Sequence, residues 1–184
     1  MIDVPELRTE RLLMRGWRDE DFEAWTRILG DPLVAQGIGH PTGMTPGEAW
    51  RHMAAMAGHW ELKGFGNWVL EELSTGEVVG RAGPYEPAGW PGLEIGWTVG
   101  RDHWGKGYAP EAARESARWV HDVLGADHFI SVIDPANARS IRVAEKLGEK
   151  LEGEFSYAGF DLLVYGADLP LRGSPGKRAG TPAP

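Results

Sequence analysis

Residues 93–124 read as a strand, a glycine-bracketed loop and a long small-faced helix in direct succession. No other part of the chain restricts the fold as much. Leu93, Ile95, Trp97 and Val99 alternate with Glu94, Gly96 and Thr98, which gives a strand with two unlike faces. In Trp104-Gly105-Lys106-Gly107-Tyr108-Ala109 the two glycines let the backbone turn tightly and expose successive N–H groups. Ala109, Ala112, Ala113, Ser116, Ala117, Val120 and Leu124 then recur at helical spacing, and Gly125 closes the run. Amides and a helix N-terminus at the end of a strand suit a phosphate or pyrophosphate, with Lys106 adding charge. A bare Gly-Lys-Gly also serves as a strand-to-helix turn that binds nothing. The loop is neither a Walker A sequence nor Gly-x-Gly-x-x-Gly.

The flanking sequence supplies the rest of a layered fold. A strand is expected over residues 11–15. Asp19, Glu20 and Asp21 then open a helix at the end of the dipole that favours carboxylates. Its apolar stripe is Phe22, Trp25, Ile28 and Leu29, and Gly30 with Pro32 ends it. Thr45-Pro46-Gly47-Glu48 is a capping box for a second helix, with Trp50, Met53, Ala57 and Trp60 on its buried side until Gly64. Ser74-Thr75-Gly76 joins two strands, 65–72 and 77–83. A strand at 128–133, a helix at 137–147 ended by Gly148, and closing strands at 151–155 and 160–165 follow. The order predicts an α/β fold, a mixed sheet with helices on both faces. One domain is expected over residues 1–169. The Pro-, Gly- and Ala-rich residues 170–184 lack an apolar pattern and are expected to form a loose tail.

Composition removes several classes of chemistry. With no cysteine among 184 residues, thiolate nucleophiles, disulfides and cysteine-bound metals are excluded. The six histidines include no pair at i, i+3 or i+4, so no helical metal site is expected. Nineteen Lys and Arg against 27 Asp and Glu give a net charge of −8, which argues against a general nucleic-acid binder and is compatible with an amine substrate. There is no apolar run of about 20 residues for a membrane span and no basic-then-apolar leader, so a cytoplasmic protein without a membrane partner is expected.

The loop Trp104-Gly105-Lys106-Gly107-Tyr108-Ala109 resembles the acyl-CoA pyrophosphate loop of the GNAT superfamily of N-acetyltransferases, Gln/Arg-x-x-Gly-x-Gly/Ala, with Trp104 at the first position. Its wording, with Leu7-Arg8-Thr9-Glu10-Arg11-Leu12, Glu94-Ile95-Gly96-Trp97 and Asn137-Ala138-Arg139-Ser140-Ile141-Arg142 before Glu145-Lys146-Leu147-Gly148, is similar to the RimJ/RimL-like branch that acetylates ribosomal-protein N-termini. These motifs fall in the family's order over about residues 7–166. The resemblance implies a GNAT fold whose central strands splay to admit pantetheine, and acetyl-CoA as the acyl donor, without a metal. It implies that backbone amides near Trp97, Thr98 and Val99 pair with pantetheine. Trp104, Gly105, Lys106, Gly107, Tyr108 and Ala109 would hold the pyrophosphate, and Asn137 would contact the cofactor.

For catalysis the resemblance offers Glu94 as the base, on the strand face opposite Leu93 and Ile95, where it is expected to escape burial. Ser140, three residues after Asn137, would donate a hydrogen bond to the leaving thiolate. Each has a plain alternative: a solvent-facing strand glutamate, and ordinary helix capping around Asn137. The family's tyrosine acid, seven residues after the asparagine, is Ala144 here, and its aromatic after the helix-ending glycine is Glu149. Trp25, Trp50 and Trp60 fit core positions. Trp17, Phe65 and Trp90 fall where an acceptor cleft would be lined, and the loop 84–91 is placed to set specificity. The expected activity is direct acetyl transfer to a primary amine, a peptide or protein N-terminus or a small molecule, by a monomer or homodimer. The competing reading is a catalytically silent acyl-CoA-binding module. A nucleotide-binding fold is disfavoured, because no ribose-binding acid follows at the right spacing.

Overall fold

In a computed structural model describing residues 2–171, residues 94–99 form the hinge of an eight-stranded sheet. The elements in chain order are β1 (Leu7–Arg8), β2 (Leu12–Arg15), α1 (Phe22–Gly30), α2 (Pro32–Ala35), α3 (Pro46–Lys63), β3 (Trp68–Glu72), β4 (Val78–Tyr85), β5 (Glu94–Val99), α4 (Tyr108–Trp119), β6 (His128–Ile133), α5 (Ala138–Leu147), β7 (Lys150–Tyr157) and β8 (Phe160–Asp168). The strand order is β1-β2-β3-β4-β5-β6-β8-β7. Every neighbouring pair is antiparallel except β5–β6. β5 pairs with β4 along its whole length, from Tyr85↔Glu94 to Gly80↔Val99, but meets β6 only at Glu94↔Ile130. Beyond that point the sheet splits.

Two cores hold the helices against the sheet. In the larger one Ala112, Ala113, Ala117 and Val120 lie with Leu12, Met14, Leu70, Val79, Ile95 and Val99. The small side chains of α4 let its backbone come close to β4 and β5, which fixes the helix N-terminus beside the split. Trp60, Trp68 and Trp119 close one side of this core, edge to face at 5.1–5.8 Å. In the second core are Trp25 and Leu29 of α1, Val34 of α2, and Ala49 and Met53 of α3. Burying each of the large side chains stabilises the fold by about 1.5–3 kcal/mol.

Local sequence explains the helix ends. Thr45 and Glu48 form the expected capping box, and Gly64 ends α3 with φ +75°. Asn137 caps α5 by accepting the Ser140 N–H at 3.1 Å, and Gly148 ends it. The helix expected from Asp19 begins as a 3₁₀ turn, because Asp21 is buried in a bidentate pair with Arg15 at 2.7 and 2.9 Å. That pair and Glu71, 2.8 Å from Arg15 Nε, tie β2, β3 and the start of α1 together.

Four expectations need correction. The short elements β1 and α2 carried too little pattern to be foreseen. Trp50 is 52% exposed, since the buried stripe of α3 keeps Met53 and Trp60 but runs through Ala49 and Met56 in place of Trp50 and Ala57. Glu94 does not escape burial: it is 8% exposed, covered on the face that alternation marked as polar. Leu171 is 5% exposed and joins the main core beside Leu169, so packed chain continues past the expected boundary at 170. The remainder of that segment lies outside the described residues. Among the described residues no helix is long and apolar enough to cross a membrane.

Candidate active site

The split between β5 and β6 opens into a cleft of about 380 Å³, floored by Trp97, Thr98 and Val99 and walled by the loop before α4 and by the start of α5. Residues on one edge of β5 are already spoken for at both ends. Ile95 O accepts from Ser131 Oγ at 3.0 Å, and Val99 O accepts from Trp104 Nε1 at 2.8 Å. By alternation the Trp97 N–H and C=O lie on the same edge, between them, with no strand opposite. Buried Thr98 Oγ1 has no hydrogen-bond partner either. An extended polar chain laid in the split would find these groups free.

At the C-terminal end of β5, Gly105 and Gly107 take φ of +79° and +86°, which turn the chain into α4 and leave the first-turn amides free of intrahelical partners. A Cβ at Gly105 would meet nothing within 4 Å, so the mouth of this turn is open. Basic groups surround it: Arg139, Arg142, Lys146 and His103 line the same cleft. Trp104, which stands where the resembling loop carries Gln or Arg, does two things. Its indole N–H holds Val99 O, and its ring carries the Arg139 guanidinium 3.8 Å from the centroid. Arg139 thereby adds a cation to the wall of the cleft beside Trp104.

The loop is clamped from below. Arg11 Nη1 donates to Lys106 O at 2.7 Å, while Arg11 Nε and Nη2 donate to Glu111 in the first turn of α4. Glu111 also accepts from Thr9 Oγ1 and Arg11 N. Tyr108 donates to Glu72, and Arg11 lies 4.9 Å from the Tyr108 ring centroid. The sequence marked Thr9, Arg11 and Glu111 only as parts of separate motifs; their meeting, about a hundred residues apart in the chain, gave no signal.

At the other end of β5 a smaller pocket, about 50 Å³, is lined by Arg81, Glu94, Gly96, Trp97, Ser131, Asn137 and Ser140 among others. It shares Trp97, Asn137 and Ser140 with the larger cleft. Trp90 Nε1 donates to Glu94 Oε2 at 2.7 Å. Burial pushes the Glu94 carboxyl up to about 7, against the opposing pull of Arg81, the Trp90 N–H and the Val132 N–H. A carboxyl in that range is matched to proton transfer near neutral pH. Ser140 Oγ has no protein partner among the described residues, and Ser140 lines both spaces. Of the residues expected at an acceptor cleft, Trp90 stands beside Glu94, whereas Trp17 donates to Asn67 O and Phe65 packs on His59.

Three residues of this end were not foreseen as site residues. Arg81 is buried in β4, where its Nη1 donates to Asn67 Oδ1; a lone arginine within Val78-Val79-Gly80-Arg81-Ala82-Gly83 was the available signal. Asn67 is held by donating to Gly83 O and Pro84 O. Glu149, marked only as a departure from an aromatic, is 4% exposed with both oxygens unpartnered. Burial pushes it up to about 8; the neighbouring Ser131 hydroxyl opposes this, but its proton is committed to Ile95 O, and Glu94 and Glu152 add to the shift.

Residues 11–150 match the profile of the acetyltransferase (GNAT) domain. The chain belongs to the GNAT acetyltransferase family. It is 41% identical over 151 residues to the protein YkkB of Bacillus subtilis, covering 78% of this chain and 84% of that one. An acetyltransferase from Agrobacterium tumefaciens superposes with a TM-score of 0.80 at 30% identity, covering 91% of this chain and 96% of that one. RimL, a ribosomal L7/L12 α-N-protein acetyltransferase solved with coenzyme A, superposes at 0.71 with 16% identity, covering 89% and 98%, which shows a shared fold. The GNAT chain described here is therefore an acyltransferase with the split sheet of its family. No group of three or more His, Cys, Asp or Glu able to hold a metal occurs among its described residues.

Proposed function

We propose that this chain transfers the acetyl group of acetyl-CoA directly to a primary amine, with Glu94 receiving the amine proton. The observation that carries this is the joining of two spaces. A cleft fit for pantetheine and phosphates runs into a pocket holding a buried carboxyl whose pKa is about 7. Acetyl-CoA, when bound, supplies the thioester. The free amide edge at Trp97 and the orphaned Thr98 hydroxyl supply donors beside it, and the amides of Gly107, Tyr108 and Ala109 with Arg139 face the phosphates.

The chain's own groups then handle the protons. The amine nitrogen forms the C–N bond as the C–S bond breaks, its proton passes to Glu94, and the sulfur leaves toward Ser140. Ser140 donates a hydrogen bond there. A serine hydroxyl is too weak an acid to serve as more, so the final proton on sulfur comes from water. Holding both reactants in one split supplies much of the rate enhancement.

The test is thiol release from acetyl-CoA with a panel of amines, for wild type and Glu94→Gln, beside calorimetric titration with acetyl-CoA. Acetyl-CoA binding without acceptor-dependent thiol release in wild type would favour the silent binding module instead.

A further inference from the structure

The floor of the pocket at Glu94 contains a charge that the transfer reaction does not use. Arg81 is 9% exposed, and among the described residues no carboxylate lies within salt-bridge distance of it. Its Nη1 donates to the neutral Asn67 amide oxygen, its buried Nε has no partner, and its Nη2 makes no hydrogen bond to the protein. Arginine cannot shed its proton to escape burial. Arg81 acts on the Glu94 carboxyl across the pocket without touching it, and a buried charge without a contacting counter-charge costs several kcal/mol, yet here the side chain is held in place by a fixed amide, with Asn67 itself anchored through two carbonyls. The arrangement stabilises a guanidinium aimed at a pocket.

Position says what it faces. Gly96 lies between Arg81 and Glu94, and a Cβ built on it would sit 3.0 Å from Arg81 Nη1 and 3.2 Å from Glu94 Oε1. The absence of a side chain at 96 lets both groups close in over the backbone there, and both line the small pocket. A donor fork on one side and a proton acceptor on the other match a molecule bearing an oxyanion two or three bonds from an amine. Beside this pocket Trp90 is fastened to Glu94 and meets Tyr157, Phe155 and Tyr85 at 5.1, 5.5 and 6.0 Å, an aromatic cluster next to the carboxyl.

We propose that the acceptor is a free α-amino acid with an apolar side chain, its carboxylate held by Arg81 and its amine presented beside Glu94. This rests on the transferase reading above and narrows its acceptor. A protein N-terminus offers no carboxylate at that distance, so the pocket discriminates against it.

The experiment compares L-phenylalanine, L-leucine and L-methionine, each beside its own α-amide, as acceptors for acetyl-CoA in wild type, Arg81→Lys and Arg81→Met. The α-amides carry the more easily deprotonated amine, so intrinsic reactivity favours them. Wild type is expected to prefer the acids by about tenfold or more in kcat/KM, the range of a charge-assisted bidentate contact. Arg81→Met is expected to abolish that preference by raising KM for the acids and not for the α-amides, while kcat and its pH profile shift alike for both because Glu94 loses the pull of Arg81; Arg81→Lys is expected to restore part of the preference. A purely structural role for Arg81 would depress acids and α-amides alike in kcat/KM and overturns the proposal. Wild type that uses the α-amides as well as the acids also overturns it and leaves the transferase reading standing. Absence of thiol release with every acceptor overturns both.

Discussion

In the proposed reaction single residues carry the proton chemistry, and their pH behaviour can be signed. Glu94 rests at about 7, so kcat/KM is expected to rise as pH passes through 7 and the carboxylate forms, and again as the amine loses its own proton. Glu94→Gln should erase the first step, lower turnover near pH 7 by about a hundredfold and leave acetyl-CoA affinity unchanged. An unaltered pH–rate profile in that variant would remove Glu94 from the reaction. Glu149 is raised further, to about 8, and so favours the fold in its protonated form. Its contribution is fully present below the ordinary carboxyl value of 4.5 and is lost as pH rises through 8. Wild type should therefore melt lower at pH 8.5 than at pH 6, and Glu149→Gln should flatten that slope, as thermal unfolding across pH would report. At this scale the sequence placed Glu94 on the right strand and missed its burial. Alternation separates two faces but does not say that one of them meets water. Arg81 escaped notice because a pattern of types cannot show that a charge lacks its partner.

Elements were more legible, since strand, loop and helix are written in contiguous residues. The glycines at 105 and 107 declared the turn, and the alanine stripe declared a helix that packs close. What contiguous residues could not declare was the clamp, because Arg11 and Glu111 meet only through the fold. Arg11 joins Lys106 O to the first turn of α4 and thereby fixes the shape of the loop proposed to hold the phosphates from the sheet side. Arg11→Ala is expected to raise the KM for acetyl-CoA about tenfold while kcat stays within about twofold of wild type, the pattern of lost uniform binding. Steady-state kinetics with saturating acceptor measures both, and a fall in kcat with constant KM would show that the loop keeps its shape unaided. Gly107→Val should be harsher, because φ +86° excludes a β-branched residue and its Cβ would come 3.3 Å from Arg11 Nη2. Loss of acetyl-CoA binding in a folded variant is the expected result.

For the whole molecule the deciding feature is that two spaces meet across one break in the sheet. An enzyme that parks the acetyl group on a side chain can let donor and acceptor come in turn. In the proposed reaction, a sheet that stops pairing after Glu94↔Ile130, with Trp97, Asn137 and Ser140 lining both the long cleft and the small pocket, has room for both partners at once. The chain has no cysteine to receive the group, and Ser140 has no base among the hydrogen-bonding partners described for it. The topology was legible as an order of elements; the break was legible only through the family resemblance, because pairing that fails leaves no mark in either strand's own pattern. Direct transfer is expected to give intersecting lines in double-reciprocal plots with both substrates varied, and no acetyl adduct on enzyme incubated with acetyl-CoA alone. Mass spectrometry of the intact chain reads the second outcome. An adduct on Ser140 that chases into product when amine is added would establish a two-step route and return the serine to the role of nucleophile. If instead Ser140→Ala loses only about tenfold in kcat, roughly 1.4 kcal/mol of barrier, its hydroxyl does no more than donate one hydrogen bond to departing sulfur, which water entering the same open split can partly replace.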